Sequence, residues 1–190
     1  MQTNSIYTIG YGSRSVEDLI QLLKKYEITY LIDVRSKPYS KYKPEYSRNE
    51  FERVIEQSGI KYVFMGDLLG GQPDLPSCYT PDGKIDYSKL REKDFFRRGI
   101  ERLNDAWKKQ LKAAVMCSEQ KPEMCHRSKL IGETLLEMNI PVQHIDENGI
   151  LVLQKDVMLR LSDGQLSLFG SNEFTSRKRY KKAGDNDAGQ

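Results

Sequence analysis

LKAAVMCSEQKPEMCHRSKLIGETLLEMNIPVQHID, residues 111–146, reads in one pass as strand, turn, helix and strand. LKAAVMCS is an apolar run of strand length that ends in polar residues, HRSKLIGETLLEMN repeats its apolar residues at helical spacing, and VQHID is a strand running into a hairpin-like DENG turn. A strand reached from the previous one through a helix pairs in parallel, and such crossovers are right-handed. The unit therefore predicts an open, mainly parallel sheet with helices on its faces.

The segments on either side repeat the pattern. YTIG (7–10) is a strand, followed by GSRSVEDLIQLLKKY, where Ser15 caps a helix with Val16, Leu19, Ile20, Leu22 and Leu23 turned inward. TYLIDVR is rich in strand formers, and two prolines keep SKPYSKYKPEY irregular. SRNEFERVIEQSG opens with Ser47 and Glu50 at the reciprocal capping spacing and stops at Gly59, before the short strand KYVFM. GDLLGGQPDLPSCYTPDGK is punctuated as a long loop, of a length that is uncommon unless it binds something or moves. Residues 87–110 read as one helix that Gly99 weakens at its centre. KDVMLRL adds a helix before an SDG turn. We expect an α/β, Rossmann-like three-layer fold in a single domain over 1–162, with 163–190 an extended, basic and disordered segment.

Composition bounds the function classes. The chain has 190 residues, 38% hydrophobic and 30% charged, which suits one globular domain with its own core. No apolar run approaches the eighteen or more residues of a membrane span, so no membrane association is expected. MQTNSIYTIG lacks a basic segment followed by an apolar one, and three cysteines are a poor disulfide framework; a cytoplasmic location with free thiols is the expectation. Much of the net charge of +3 comes from RKRYKK at 177–182.

In such sheets ligands bind beyond the carboxyl ends of the strands. Asp33 and Arg35 close one strand two residues apart, as Cys117 and Glu119 close another, so both pairs are expected on one rim. Cys125, His126 and Arg127 open the next helix, where unpaired amides favour an anion.

The combination of TIGYGS, LIDVRSKPYS, LLGGQP and MCSEQKPEMCHR resembles the bacterial and archaeal domain of unknown function 488 family, over roughly residues 6–160. The resemblance implies an α/β domain with an unassigned activity around Cys117, Glu119, Cys125, His126 and Arg127. It supplies no substrate.

The chemistry of these residues suggests one. Asp33, Cys117, Glu119 and Cys125 are the candidate catalytic residues: Cys125 has a stabilised thiolate available as nucleophile, and Glu119 acts as acid or base with Asp33 as counterpart. His126, adjacent to Cys125 along a helix, is expected to point elsewhere. Tyr11, Arg35, Ser40, Tyr46, His126 and Arg127 are candidate substrate-binding residues. Hydrolysis of a nucleotide-like or other phosphate-bearing compound suits that division. The competing reading makes the cysteines small core residues and pairs the charges across the rim. Seven residues between Cys117 and Cys125 lack the paired short spacing of structural zinc sites, so neither metal nor cofactor is expected; a regulatory disulfide stays open.

Outside the core, QLSLF at 165–169 resembles the bacterial sliding-clamp binding motif, in which Gln165, Leu166, Leu168 and Phe169 dock an extended segment in an apolar groove. The alternative packs the same residues on the domain. The loop SKPYSKYKPEYSR interleaves lysines and tyrosines and could guide a nucleic-acid strand to the rim. Two functions follow: an enzyme acting on a nucleotide, nucleic acid or related phosphate compound in DNA metabolism, or a non-catalytic nucleic-acid-binding adaptor recruited to the clamp.

Overall fold

Two apolar strands at the middle of the chain's sheet, IYTIG and AAVMC, are buried at every position, as strands covered on both faces must be. The structure, a computed structural model, describes residues 4–161 and 175–180. In chain order its elements are β1 (Ile6–Gly10), α1 (Val16–Lys25), β2 (Tyr30–Asp33), α2 (Arg48–Gln57), β3 (Lys61–Phe64), α3 (Gly66–Leu69), α4 (Tyr87–Arg91), α5 (Asp94–Lys108), β4 (Ala113–Cys117), α6 (Glu133–Glu137), β5 (Val142–Ile145), β6 (Leu151–Leu153) and α7 (Gln154–Leu161). The sheet order is β3-β2-β4-β1-β5-β6, with every pair parallel except the terminal β5–β6 hairpin. It is an α/β fold of the Rossmann-like three-layer kind.

The order dictates where the helices lie. From β1 the chain steps outward to β2 and β3, then returns to β4 and passes beyond β1 to β5. Right-handed crossovers in opposite directions send their helices to opposite faces. One core accordingly joins Leu19 and Leu23 of α1 and Phe51 and Ile55 of α2 to Leu31, Ala114 and Met116 of the sheet. The other joins Phe96 and Leu103 of α5 and Leu135 of α6 to Ile32 and Val115. Loops leaving β1 and β4 diverge, which opens a crevice between their carboxyl ends at the switch point of the topology.

Several local expectations are corrected. The 87–110 helix is two helices, broken not at Gly99 but before Asp94, with the Asp86 carboxylate capping α4 at Ser88 N (3.1 Å) and Lys89 N (3.2 Å). Gly99 serves packing instead, because a Cβ there would stand 2.6 Å from Leu69 Cδ2. The Ser47 hydroxyl does not cap α2; it accepts from Ser40 N (3.3 Å), and Glu50 pairs with Arg53. The helix before β5 opens with a π-helical turn, Arg127–Gly132, a wide form that recurs near functional sites. β6 follows the DENG turn as an added antiparallel edge. Among the described residues no helix is long and apolar enough to cross a membrane. QLSLF lies outside them.

His144 locks β1, β5 and α7 together. Its Nε2 donates to Gln154 Oε1 (2.5 Å), so Nδ1 accepts from the Thr8 hydroxyl (2.6 Å), and Gln154 Nε2 donates onward to Ser128 O (3.1 Å) and Glu133 Oε1 (2.7 Å). Burial, helped by the Arg127 charge, holds the imidazole neutral, with a pKa lowered to about 3. Below the usual value near 6.5 the unfolded chain binds a proton that the folded chain refuses. Stability therefore falls as pH drops from there toward about 3, and is unaffected above it. Chemical denaturation of wild type against His144→Gln should show a pH-dependent difference with a slope of about 1.4 kcal/mol per pH unit in that window. Parallel curves would show that the imidazole is not held neutral.

Candidate functional site

Strand register decides which polar residues meet. Asp33 stands beside Met116 in the β2–β4 pairing, and paired residues of parallel strands share a face, so Asp33 turns toward α1 and α2. Cys117 is one position further and turns to the opposite face with Val115. The expected common rim for the two carboxylates is thus corrected: Asp33 is fully buried and does not line the crevice.

What Asp33 does is hold Arg35. The guanidinium donates to Asp33 through Nε (2.9 Å to Oδ1) and NH2 (2.6 Å to Oδ2), and the Arg35 amide adds a bond to Oδ1 (3.0 Å). The Tyr62 hydroxyl donates to Oδ2 (2.6 Å), and Arg35 NH1 donates to the Tyr46 carbonyl (2.8 Å). Burial opposes the charge on Arg35, but Asp33 outweighs it and raises the pKa further. Tyr46, also fully buried, stacks on Tyr11 at 4.0 Å between ring centroids, and Arg35 lies 5.4 Å from the Tyr11 ring. Asp33 and Tyr46 therefore form a socket, and Arg35 and Tyr11 are what reach the cavity. Ser40 does not; its hydroxyl accepts from Lys43 N (3.0 Å) and shapes the loop.

On the other face the chain between β4 and the π-helix doubles back. Pro122–Met124 make a single 3-10 turn, after which Cys125 is extended (φ −122°, ψ 150°) and His126 begins the helix. Because Cys125 is not yet helical, the expectation that His126 points away from it is corrected. His126 Nδ1 lies 3.6 Å from Cys125 Sγ and 3.7 Å from Cys117 Sγ. Glu119 Oε2 lies 3.2 Å from Cys117 Sγ and 3.3 Å from Cys125 Sγ. Two thiols, an imidazole and a carboxylate converge.

Arg127 makes this possible without joining it. Its side chain is fully buried, and it donates through NH1 to the Glu119 carbonyl and through NH2 to the Gln120 carbonyl (2.9 Å). The expected anion contact at Arg127 is replaced by a clamp on the loop, since the short turn leaves its carbonyls facing inward. The Ser128 hydroxyl closes the turn further by donating to Pro122 O (2.6 Å).

The electrostatics of the cluster are coupled. Contact with Cys125 and burial push the Cys117 thiol well above its ordinary value. Burial alone would raise Glu119, but His126 and the two thiols bring it below the usual carboxylate range. Burial would lower His126, and Cys117 and Glu119 reverse that.

A cavity of about 180 Å³ opens over this cluster, lined also by Tyr11, Arg35, Lys37 and Tyr39. The double glycine supplies part of its wall: a Cβ on Gly71 would lie 2.9 Å from His126 Nδ1, so only glycine lets the imidazole sit there. Residues 175–180 close the mouth. Ser176 exchanges hydrogen bonds with Ile85 (2.8 and 2.9 Å), Tyr180 N donates to Gly83 O (2.7 Å), and Arg177, Lys178 and Tyr180 thereby line the cavity. Lys37, Gln72 and Tyr180 are shared with a second cavity of about 270 Å³ that continues past Tyr79. Gln72, Tyr87 and Tyr180 carry no local sequence signal for this role. The long loop and the terminal basic run were the only hints.

The family model described as "Domain of unknown function DUF488" matches residues 15–133, and the chain belongs to that family. Neither the comparison with curated proteins nor that with solved structures returns a match.

Removing one partner of a buried ion pair leaves the other charge uncompensated. Asp33→Asn should lower the unfolding free energy by about 3–5 kcal/mol, read by urea denaturation, and adding Arg35→Met to it should recover most of the loss. A loss below about 1 kcal/mol, the scale of an exposed pair, would show that Asp33 does not hold Arg35.

Proposed function

We propose that this DUF488 protein is an enzyme, a hydrolase acting on a nucleotide-like, phosphate-bearing substrate, with the cavity above β1 and β4 as its active site. The observation that carries the reading is the meeting of two thiols, one imidazole and one carboxylate in a cavity whose remaining charged lining groups are Arg35, Lys37, Arg177 and Lys178, all cations. Cations of this kind gather phosphate oxygens, and Arg35, whose fork is bonded to Asp33, adds its positive charge to the cavity wall. Cys117, Glu119, Cys125 and His126 form the reacting cluster, with Glu119 placed for proton transfer to or from a reacting group.

Size divides the substrate between the two cavities. The inner one is smaller than the ~300–1,000 Å³ typical of ligand pockets. It suits the reacting group, while the outer cavity takes the remainder against Tyr79 and Tyr180. Tyr39 and Tyr180 line the cavity and offer rings for a base. Asp33 and Tyr46 are positioning residues that act through Arg35, Ser40 shapes the same loop, and Arg127 positions Glu119.

A second reading, the non-catalytic adaptor, is favoured by the loop after β2. Tyr39 and Tyr42 are 76% and 94% exposed beside Lys37, Lys41 and Lys43, an arrangement that stacks and neutralises a single strand. In that reading Gln165, Leu166, Leu168 and Phe169 dock on a sliding clamp, and the protein works in DNA metabolism without turnover.

Screening nucleotides, nucleosides and single-stranded or modified DNA for product release separates the two. The enzyme reading expects turnover with at least one class, a kcat lowered by about 10²–10⁴ in Glu119→Gln, and a KM raised by about tenfold, roughly 1.4 kcal/mol of binding, in Lys37→Ala or Arg177→Ala. No turnover in any class, with DNA affinity equal in wild type and Glu119→Gln and clamp affinity lost on deleting residues 165–190, would establish the adaptor.

A further inference from the structure

We infer that Cys117, Cys125 and His126 form a binding site for a single zinc ion, with the Glu119 carboxylate beside both sulfurs as its fourth, exchangeable donor. The inference deepens the enzyme reading of the same cavity and rests on that reading only for its functional meaning, since the coordination itself is read from geometry. In a zinc site with sulfur at about 2.3 Å and nitrogen or oxygen at about 2.0 Å, tetrahedral angles put each sulfur about 3.5 Å from each nitrogen or oxygen ligand. The four such separations here are 3.7, 3.6, 3.2 and 3.3 Å. The donor atoms of Cys117, Cys125 and His126 all lie within 4.8 Å of one another.

Hydrogen bonding alone accounts for less. Two thiols carry two protons and a neutral imidazole offers at most one more at Nδ1, so three protons serve four close contacts. One central cation satisfies all four together. The surroundings also match what orients metal ligands. The Ser118 hydroxyl donates to Glu119 Oε2 (3.1 Å), and the Arg127 amide donates to Cys125 Sγ (3.5 Å), as amides do to ligating thiolates. His126 Nε2 departs from that pattern, being buried with no hydrogen-bond partner among the described residues, and the ring is positioned by its packing against Gly71. Seven residues lie between the cysteines in sequence, and the Arg127 clamp on the Glu119 and Gln120 carbonyls folds that segment back so that both sulfurs stand beside His126 Nδ1. Thiolate, imidazole and carboxylate together are the donor set of zinc rather than of magnesium or calcium. All four residues line the cavity, and the carboxylate is the donor that a substrate oxygen or water can displace.

The test uses the full chain purified from zinc-supplemented medium, then stripped with chelator and titrated with zinc or cobalt(II) alone. Elemental analysis should give about one zinc per chain. Cobalt should produce sulfur-to-metal charge-transfer absorption and the intense visible bands of tetrahedral coordination. Cys117→Ser and Cys125→Ser should each lose more zinc affinity than the ~10–100-fold that removal of an outer-shell partner costs, whereas Glu119→Gln should keep the charge-transfer band with altered visible bands. Because a cysteine variant can fail to fold, alkylation mapping of the wild type provides a second measurement: zinc should shield Cys117 and Cys125 together. Absence of the cobalt charge-transfer band in folded wild type, or unchanged zinc affinity in folded Cys117→Ser, would overturn the assignment. Turnover by chelator-stripped protein would remove the metal from the reaction and leave the enzyme, while bound zinc without turnover would keep the site and remove the enzyme reading.

Discussion

The Arg127 guanidinium, buried and spent on two backbone carbonyls, is the constraint on which the site depends. Such a charge in the interior is held by the donors it uses, here NH1 and NH2 while Nε has no partner among the described residues, and charge-assisted bonds to carbonyls are about twice as strong as neutral ones. By pinning the carbonyls of Glu119 and Gln120, it folds the segment after β4 back on itself. Glu119, Cys125 and His126 then face Cys117 across a few ångströms. The π-helical opening of the following helix is part of the same arrangement. It carries Arg127 inward, and Gln154 ties it to His144 and so to β1.

A second constraint works from the opposite face of the sheet. Asp33 is too deep to touch anything in the cavity, yet through Arg35 it sets the cation that does. Tyr46 contributes its carbonyl below and its ring beneath Tyr11. The site is thus assembled from two faces that meet only at the switch point between β4 and β1, where diverging loops leave room for it. The third contribution is remote in sequence: Ser176 bonds to Ile85 and brings Arg177, Lys178 and Tyr180 to the mouth.

Much of the fold was legible before any coordinates. Strands of β-branched and apolar residues alternate with amphipathic helices, and the physics of parallel crossovers leaves few ways to arrange them. The helix that broke at residues 92–93 rather than at Gly99 shows the limit of propensity, because the glycine was needed for contact with Leu69. Among the candidate site residues, Tyr11, Arg35, Cys117, Glu119, Cys125 and His126 reach the cavity, while Asp33, Ser40, Tyr46 and Arg127 stand behind it. The misplacement of Asp33 comes from strand register. Alternation within a strand relates Asp33 to Arg35 and Cys117 to Glu119, but it says nothing of the register between strands, and a single step moves a side chain to the other face.

The amino-acid sequence by itself determined the order of strands and helices, the parallel sheet and the residue types gathered near residues 117–127, since these depend on local periodicity and short spacing. Tertiary structure alone decided that a histidine next to a cysteine in the chain would share its cavity, that a conspicuous arginine would be a clamp and that a terminal basic run would supply walls. Those outcomes depend on inter-strand register and on hydrogen bonds between residues far apart in the chain. Periodicity within one segment carries no record of either.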